Sequence, residues 1–188
     1  MGKFTSEIAM QIVSYPGYEG VDAFIETGTF RGGSASAANN AGIFKDIVTI
    51  ELSKELHALA VKRFSKTKVQ CLLGSSAELL AGVSQQFSRP SFFYLDAHWF
   101  SKKYGAGPSV SKEDPFPLWK ELEILKVRPY ADIIAVDDYH VFGRSGPEIG
   151  PEWKDVSLAS IIKALDEKRE AHSLSTIDQF VVYRKTLS

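Results

Sequence analysis

Hydrophobic positions along this chain alternate between two patterns. Short runs that are apolar nearly throughout are separated by longer stretches whose apolar residues recur every three or four positions. The short runs, 21–26, 46–51, 69–73, 91–96 and 133–137, read as strands. Ser91-Phe92-Phe93-Tyr94-Leu95-Asp96 is apolar on both faces and therefore reads as central in a parallel sheet. Between the runs, Ile8, Ile12 and Val13 predict a leading helix capped by Thr5 or Ser6. The small residues 34–41 predict a helix that stops at Gly42. Leu52, Leu56, Leu59, Ala60 and Phe64 form the stripe of an amphipathic helix. Ser75-Ser76-Ala77-Glu78 has the form of a capping box, in which Ser75 and Glu78 satisfy each other's backbone donors, with a helix expected to about residue 87. Pro117 opens a helix bearing Leu118, Leu122 and Leu125, and Leu158, Ile161, Ile162 and Leu165 mark the last one. Two short strands around Asp178, 172–177 and 179–184, predict a terminal hairpin.

Five strand-helix alternations imply an α/β fold: a doubly wound, mostly parallel sheet with helices on both faces and a C-terminal antiparallel hairpin. The length of 188 residues fits a single domain, 1–188. Segments 99–116 and 143–155 show no periodicity. Loops that long inside a compact domain are usually functional, and 99–116 is the expected lid.

Composition acts mainly by exclusion. With 22 basic and 23 acidic residues the net charge is −1, which leaves no electrostatic footprint for nucleic acid or an anionic membrane. The lone cysteine, Cys71, lies in an apolar run and fits a reducing compartment. No run approaches the roughly 18 apolar residues of a membrane span, and the N-terminal residues lack the apolar core of a signal peptide, so a cytoplasmic protein is expected.

The polar residues with chemical potential collect at strand ends: Glu26, Glu51, Ser75, Asp96, His98, Asp137, Asp138 and His140. Open α/β sheets bind ligands beyond those ends. The stretch 24–34 reads as a strand ending in a carboxylate, followed by a turn whose Gly28, Gly32 and Gly33 allow backbone N–H groups to approach a ligand. A dinucleotide fingerprint needs a second glycine where Phe30 stands. A cofactor without a pyrophosphate fits better, with Glu51 placed to accept hydrogen bonds from ribose hydroxyls.

Glu26-Thr27-Gly28-Thr29-Phe30-Arg31-Gly32-Gly33-Ser34, Ile50-Glu51 and Tyr94-Leu95-Asp96 together resemble the class I S-adenosylmethionine-dependent methyltransferases. The resemblance runs in strand order over nearly the whole chain. It implies a Rossmann-like, seven-stranded sheet whose last strand is antiparallel. It also implies a cofactor site: Glu26, Thr27, Gly28, Thr29, Gly32 and Ser34 near the methionine part of S-adenosylmethionine, Glu51 and Leu52 at the ribose, Ser75 and Ser76 beside the adenine, and Asp96.

Asp96 together with Asp137-Asp138-Tyr139 looks like the metal-dependent O-methyltransferases of the macrocin type. That likeness implies Mg²⁺ held by Asp96, Asp137 and Asp138 against a substrate hydroxyl. Where those enzymes carry an acid in a D-G-D pattern, this chain has Asp96-Ala97-His98, and His98 becomes the candidate catalytic base beside Asp96. The implied activity is methyl transfer to an oxygen of a small molecule, a sugar or secondary metabolite. Two other readings stay open: a metal-dependent hydrolase built on Asp96, His98, Asp137 and Asp138, and a cofactor-binding module without catalysis. Oligomeric state is open too, a homodimer included.

Overall fold

The computed structural model describes residues 4–14, 18, 20–97, 116–146, 149, 151–165, 169–173 and 181–185. The strands are β1 (Ala23–Thr27), β2 (Asp46–Glu51), β3 (Val69–Leu73), β4 (Phe92–Leu95), β5 (Ile133–Val136), β6 (Arg169–Ser173) and β7 (Val181–Lys185). The helices are α1 (Ser6–Val13), α2 (Gly33–Ala41), α3 (Lys54–Phe64), α4 (Ser76–Gln85), α5 (Leu118–Lys126) and α6 (Leu158–Leu165). Strand order across the sheet is β3-β2-β1-β4-β5-β7-β6. The first five are mutually parallel, and β7 runs antiparallel to both β5 and β6. The chain order reverses between β1 and β4, which makes that junction the switch point of the sheet.

Side chains of the central strands alternate between two cores. Phe24, Phe92, Tyr94, Ile133 and Ala135 face α1 and α2, where Phe4, Phe24, Phe44 and Phe92 form an aromatic cluster with ring centroids 5.4 to 6.1 Å apart. Ile25, Phe93, Leu95, Ile134 and Val136 face α4, α5 and α6. Burial on both faces is why these strands read as unbroken apolar runs.

Local signals fix most helix ends. Thr5 caps α1, its Oγ1 accepting from the Ile8 N–H at 3.3 Å. Ser53 caps α3 in the same way through Leu56, and Gly42 ends α2 in the left-handed region at φ 71°. The expected capping box at Ser75 does not form. The Ser75 side chain makes no capping bond, and the Glu78 N–H bonds instead to the Ser75 carbonyl at 3.1 Å.

At the amino ends of the strands a buried ion pair ties the sheet to α4 and α5. Arg128 Nε meets Asp132 Oδ2 at 2.8 Å, and the same guanidinium donates to the carbonyls of Ser84, Phe87 and Arg89. Asp132 also accepts from the Ser91 N–H at 3.0 Å. Within the region expected to be irregular, 143–155, the chain forms a 3-10 turn at Pro151–Asp155. No helix among the described residues is long and apolar enough to cross a membrane.

Candidate functional site

Strand register gathers the acids. Glu26 on β1 lies opposite Thr49 on β2 and Tyr94 on β4. Side chains alternate, so Glu26, Thr49, Glu51, Tyr94, Asp96 and Asp137 all project toward the α1–α2 side of the sheet, at or just past its carboxyl ends. Backbone bonds extend the register by one step: the Asp96 N–H donates to the Thr27 carbonyl and the Asp137 N–H to the Leu95 carbonyl.

Glu26 is fully buried. Thr49 Oγ1 donates to its Oε2 at 2.6 Å, and because that proton is committed, Thr29 is the donor in the 2.5 Å contact between the two threonine hydroxyls. Among the described residues, Oε1 of Glu26 has no hydrogen-bond partner. Desolvation raises the Glu26 pKa to about 7; the hydroxyls of Ser34 and Thr49 pull it down, and the charges of Glu51 and Asp137 push it up. An orphan buried carboxylate oxygen of this kind is rare in folded proteins and suits a cationic ligand group.

The glycine turn differs from the expectation of a backbone cradle. Gly28 and Thr29 both donate their N–H groups to the Ile50 carbonyl, at 3.0 and 3.2 Å. The Phe30 N–H donates to Glu51 Oε2 at 2.7 Å and the Gly32 N–H to the Thr29 carbonyl at 2.7 Å. Four N–H groups of the turn are therefore engaged within the protein. Such a turn positions side chains and has few donors left for a phosphate.

Gly28 is needed on two grounds: its φ is +81°, and a β-carbon there would stand 2.4 Å from the Asp96 carbonyl oxygen. At Gly33 a β-carbon would meet nothing within 4 Å. Phe30 itself takes a left-handed φ of 48°, held by its bond to Glu51.

Glu51 is buried, and its Oε1 accepts from the Ser53 N–H at 2.9 Å. Its pKa is raised, chiefly by desolvation, against the backbone donors of Ser53, Phe30 and Leu52. With about four acceptor sites, the carboxylate keeps capacity for a ribose hydroxyl. Ser75 and the buried Ser76 follow β3, the neighbour of β2, at the same end of the sheet. The Thr27 hydroxyl is turned inward, accepting from the Asp96 N–H at 3.3 Å.

Asp96 and Asp137 stand side by side. Burial raises the Asp96 pKa well above the carboxylate range, and the charges of Asp137, Asp138 and Glu26 raise it further. Tyr94 is likewise pushed up by desolvation and then by the charges of Asp137 and Asp96.

The expected three-carboxylate metal set is not assembled, and among the described residues no group of three His, Cys, Asp or Glu is placed to hold an ion. Asp137 Oδ1 turns back to accept from the Asp138 N–H at 2.8 Å. Asp138, in the left-handed region at φ 59°, directs its carboxylate toward His140, with Oδ1 3.8 Å from Nδ1. This arrangement does not fit the Mg²⁺ site that the resemblance implied. His98 and the expected lid, apart from Phe116, lie outside the described residues.

Thr49 and Tyr94 were not singled out as site residues from sequence. A hydroxyl inside the β-branched run Ile47-Val48-Thr49-Ile50, in phase with Glu26, is the signal that finds the first.

No family model and no curated protein matches the sequence. Solved structures do share its fold. The chain is similar to an O-methyltransferase from Bacillus cereus in complex with S-adenosylhomocysteine, with TM-score 0.59 and 16% identity over 96% of this chain and 80% of that one. It is also similar to TomG, an O-methyltransferase of tomaymycin synthesis from Streptomyces achromogenes in complex with S-adenosylmethionine, with TM-score 0.57 and 16% identity over 88% and 74% of the two chains. The S-adenosylhomocysteine-bound methyltransferase PaMTH1 of Podospora anserina gives TM-score 0.56 and 17% identity over 88% and 72%. What the likeness shows is a Rossmann-like α/β fold with a five-stranded parallel core and helices on both faces.

Proposed function

We propose that this chain is an S-adenosylmethionine-dependent methyltransferase that methylates an oxygen of a small molecule such as a sugar or secondary metabolite. The observation that carries the reading is the unpartnered Oε1 of buried Glu26 at the switch point of the sheet. Two features support it: the glycine turn has few donors left for a pyrophosphate, and similar folds hold S-adenosylmethionine or its product.

When bound, the cofactor supplies a methyl group activated by its sulfonium. In this reading Glu26 accepts a hydrogen bond from the ammonium of the methionine part, and Thr49 and Thr29 hold that carboxylate in place. Glu51 accepts from the ribose hydroxyls. Ser34 stands at the methionine end, and Ser75 and Ser76 border the adenine. Methyl transfer to the acceptor oxygen would release the proton of the acceptor hydroxyl. Asp96 and Asp137 lie where the hydroxyl proton leaves, and one of this pair takes it; His98 is the alternative acceptor. The chain contributes mainly by alignment and water exclusion.

Magnesium assistance, implied by the macrocin-type resemblance, would need Asp138 to leave His140, and no step here runs through a metal. The test of the reading is calorimetric titration with S-adenosylhomocysteine, comparing wild type with Glu26→Ala. Saturable binding weakened at least tenfold by the substitution supports it; absence of binding to wild type rejects it.

A further inference from the structure

Phe30 holds a backbone conformation that its β-carbon disfavours, at φ 48°. A non-glycine residue stays in the left-handed region only where surrounding contacts impose it. Its own N–H supplies one such contact, to Glu51 Oε2 at 2.7 Å. Another comes from outside the sheet. Arg63, near the end of α3, donates from Nη1 to the Arg31 carbonyl at 3.0 Å and from Nε to Ser36 Oγ, on α2, also at 3.0 Å. The neighbouring Phe64 packs against Gly32 so closely that a β-carbon there would stand 2.9 Å from its ring.

One guanidinium thus ties the glycine turn and the start of α2 to α3. An exposed arginine contributes little to overall stability. Its planar fork nevertheless fixes two acceptors on different segments relative to each other, which the single ammonium of a lysine does less well. Beyond the turn stands Glu51. Its Oε1 is anchored by the Ser53 N–H and its Oε2 by the Phe30 N–H, so a turn that relaxes lets one end of this carboxylate swing away.

We infer that Arg63 is a positioning residue for the cofactor. By clamping the Arg31 carbonyl it keeps Phe30 left-handed, and through the Phe30–Glu51 hydrogen bond it sets the orientation of the carboxylate that meets the ribose. The inference rests on the proposed methyltransferase reading and adds to it a residue that does not itself touch the ligand.

The experiment titrates S-adenosylhomocysteine calorimetrically into wild type, Arg63→Ala, Arg63→Lys, Phe30→Gly and the double variant Phe30→Gly with Arg63→Ala, with melting temperatures recorded alongside. Arg63→Ala should weaken binding about fivefold, and Arg63→Lys should fall between it and wild type. Glycine adopts the left-handed conformation without strain, so in the Phe30→Gly background the loss of Arg63 should cost less than about twofold. An arginine that merely stabilises the fold would lower the melting temperature and leave affinity unchanged. Unchanged affinity in Arg63→Ala overturns the inference, as does an equal loss in the two backgrounds. If S-adenosylhomocysteine does not bind wild type, it is the methyltransferase reading that has failed.

Discussion

Thr49 Oγ1 donates to Glu26 Oε2 at 2.6 Å, and among the described residues the other oxygen of the same buried carboxylate has no partner. The carboxyl is held in position but only half satisfied, a costly state for the protein alone and a useful one for a cationic ligand.

Stability of the unliganded protein should therefore fall as Glu26 ionises. Its folded pKa of about 7 exceeds the 4.5 of the unfolded chain. Between those values the folded state binds more protons than the unfolded state, so stability drops as pH rises from 4.5 to 7 and is flat above. The full penalty is about 3 kcal/mol at most. Glu26→Gln, which mimics the protonated form, should raise the melting temperature at pH 8 and leave it nearly unchanged at pH 4.5. Thermal unfolding at the two values checks this.

Thr49→Val removes the donor and leaves both oxygens of Glu26 without a full hydrogen bond. The Glu26 pKa should rise further, and the pH at which S-adenosylhomocysteine affinity is half-maximal should move up with it. Thr49→Ser should restore the wild-type midpoint. A merely structural threonine would change stability and leave the midpoint in place.

The glycines of the turn should separate cleanly. Gly28→Ala forces a β-carbon against the Asp96 carbonyl and strains a φ of +81°, so a loss of about 2 kcal/mol or more is expected. Gly33→Ala has open space around it and should stay within about 0.5 kcal/mol of wild type. Chemical denaturation of the two variants gives both numbers.

At the other end of the sheet, Arg128→Ala strands Asp132 without its counter-charge and leaves the carbonyls of Ser84, Phe87 and Arg89 short of a donor. A loss of about 3–5 kcal/mol is expected. Arg128→Met combined with Asp132→Leu should recover only part of it, because the carbonyls remain unsatisfied. If the double variant is as stable as wild type, the carbonyl contacts carry little of the energy.

The parallel core was legible because each central strand is buried on both faces, so Phe92 to Leu95 and Ile133 to Val136 appear as continuous apolar runs. Acids at the ends of β1, β2, β4 and β5 pointed to the correct edge of the sheet for the same reason: charge there interrupts an otherwise apolar pattern. Hydrogen bonding was less legible. Nothing in Gly28 to Gly32 announces that its N–H groups bond to Ile50, Glu51 and Thr29, since that depends on how closely β2 approaches the turn. The capping box at Ser75 failed because the Ser75 carbonyl took the donor its side chain was expected to bind. The metal set looked complete in sequence, but the left-handed backbone at Asp138 turns that carboxylate toward His140. The buried pairing of Arg128 with Asp132 emerged only from packing.

The central claim is that the orphan carboxylate of Glu26 marks an S-adenosylmethionine site. Titration of S-adenosylhomocysteine into the wild-type protein at pH 8, followed by calorimetry, tests it most directly. A single saturable event at micromolar affinity or tighter is predicted, and no saturable heat at millimolar ligand would contradict the account.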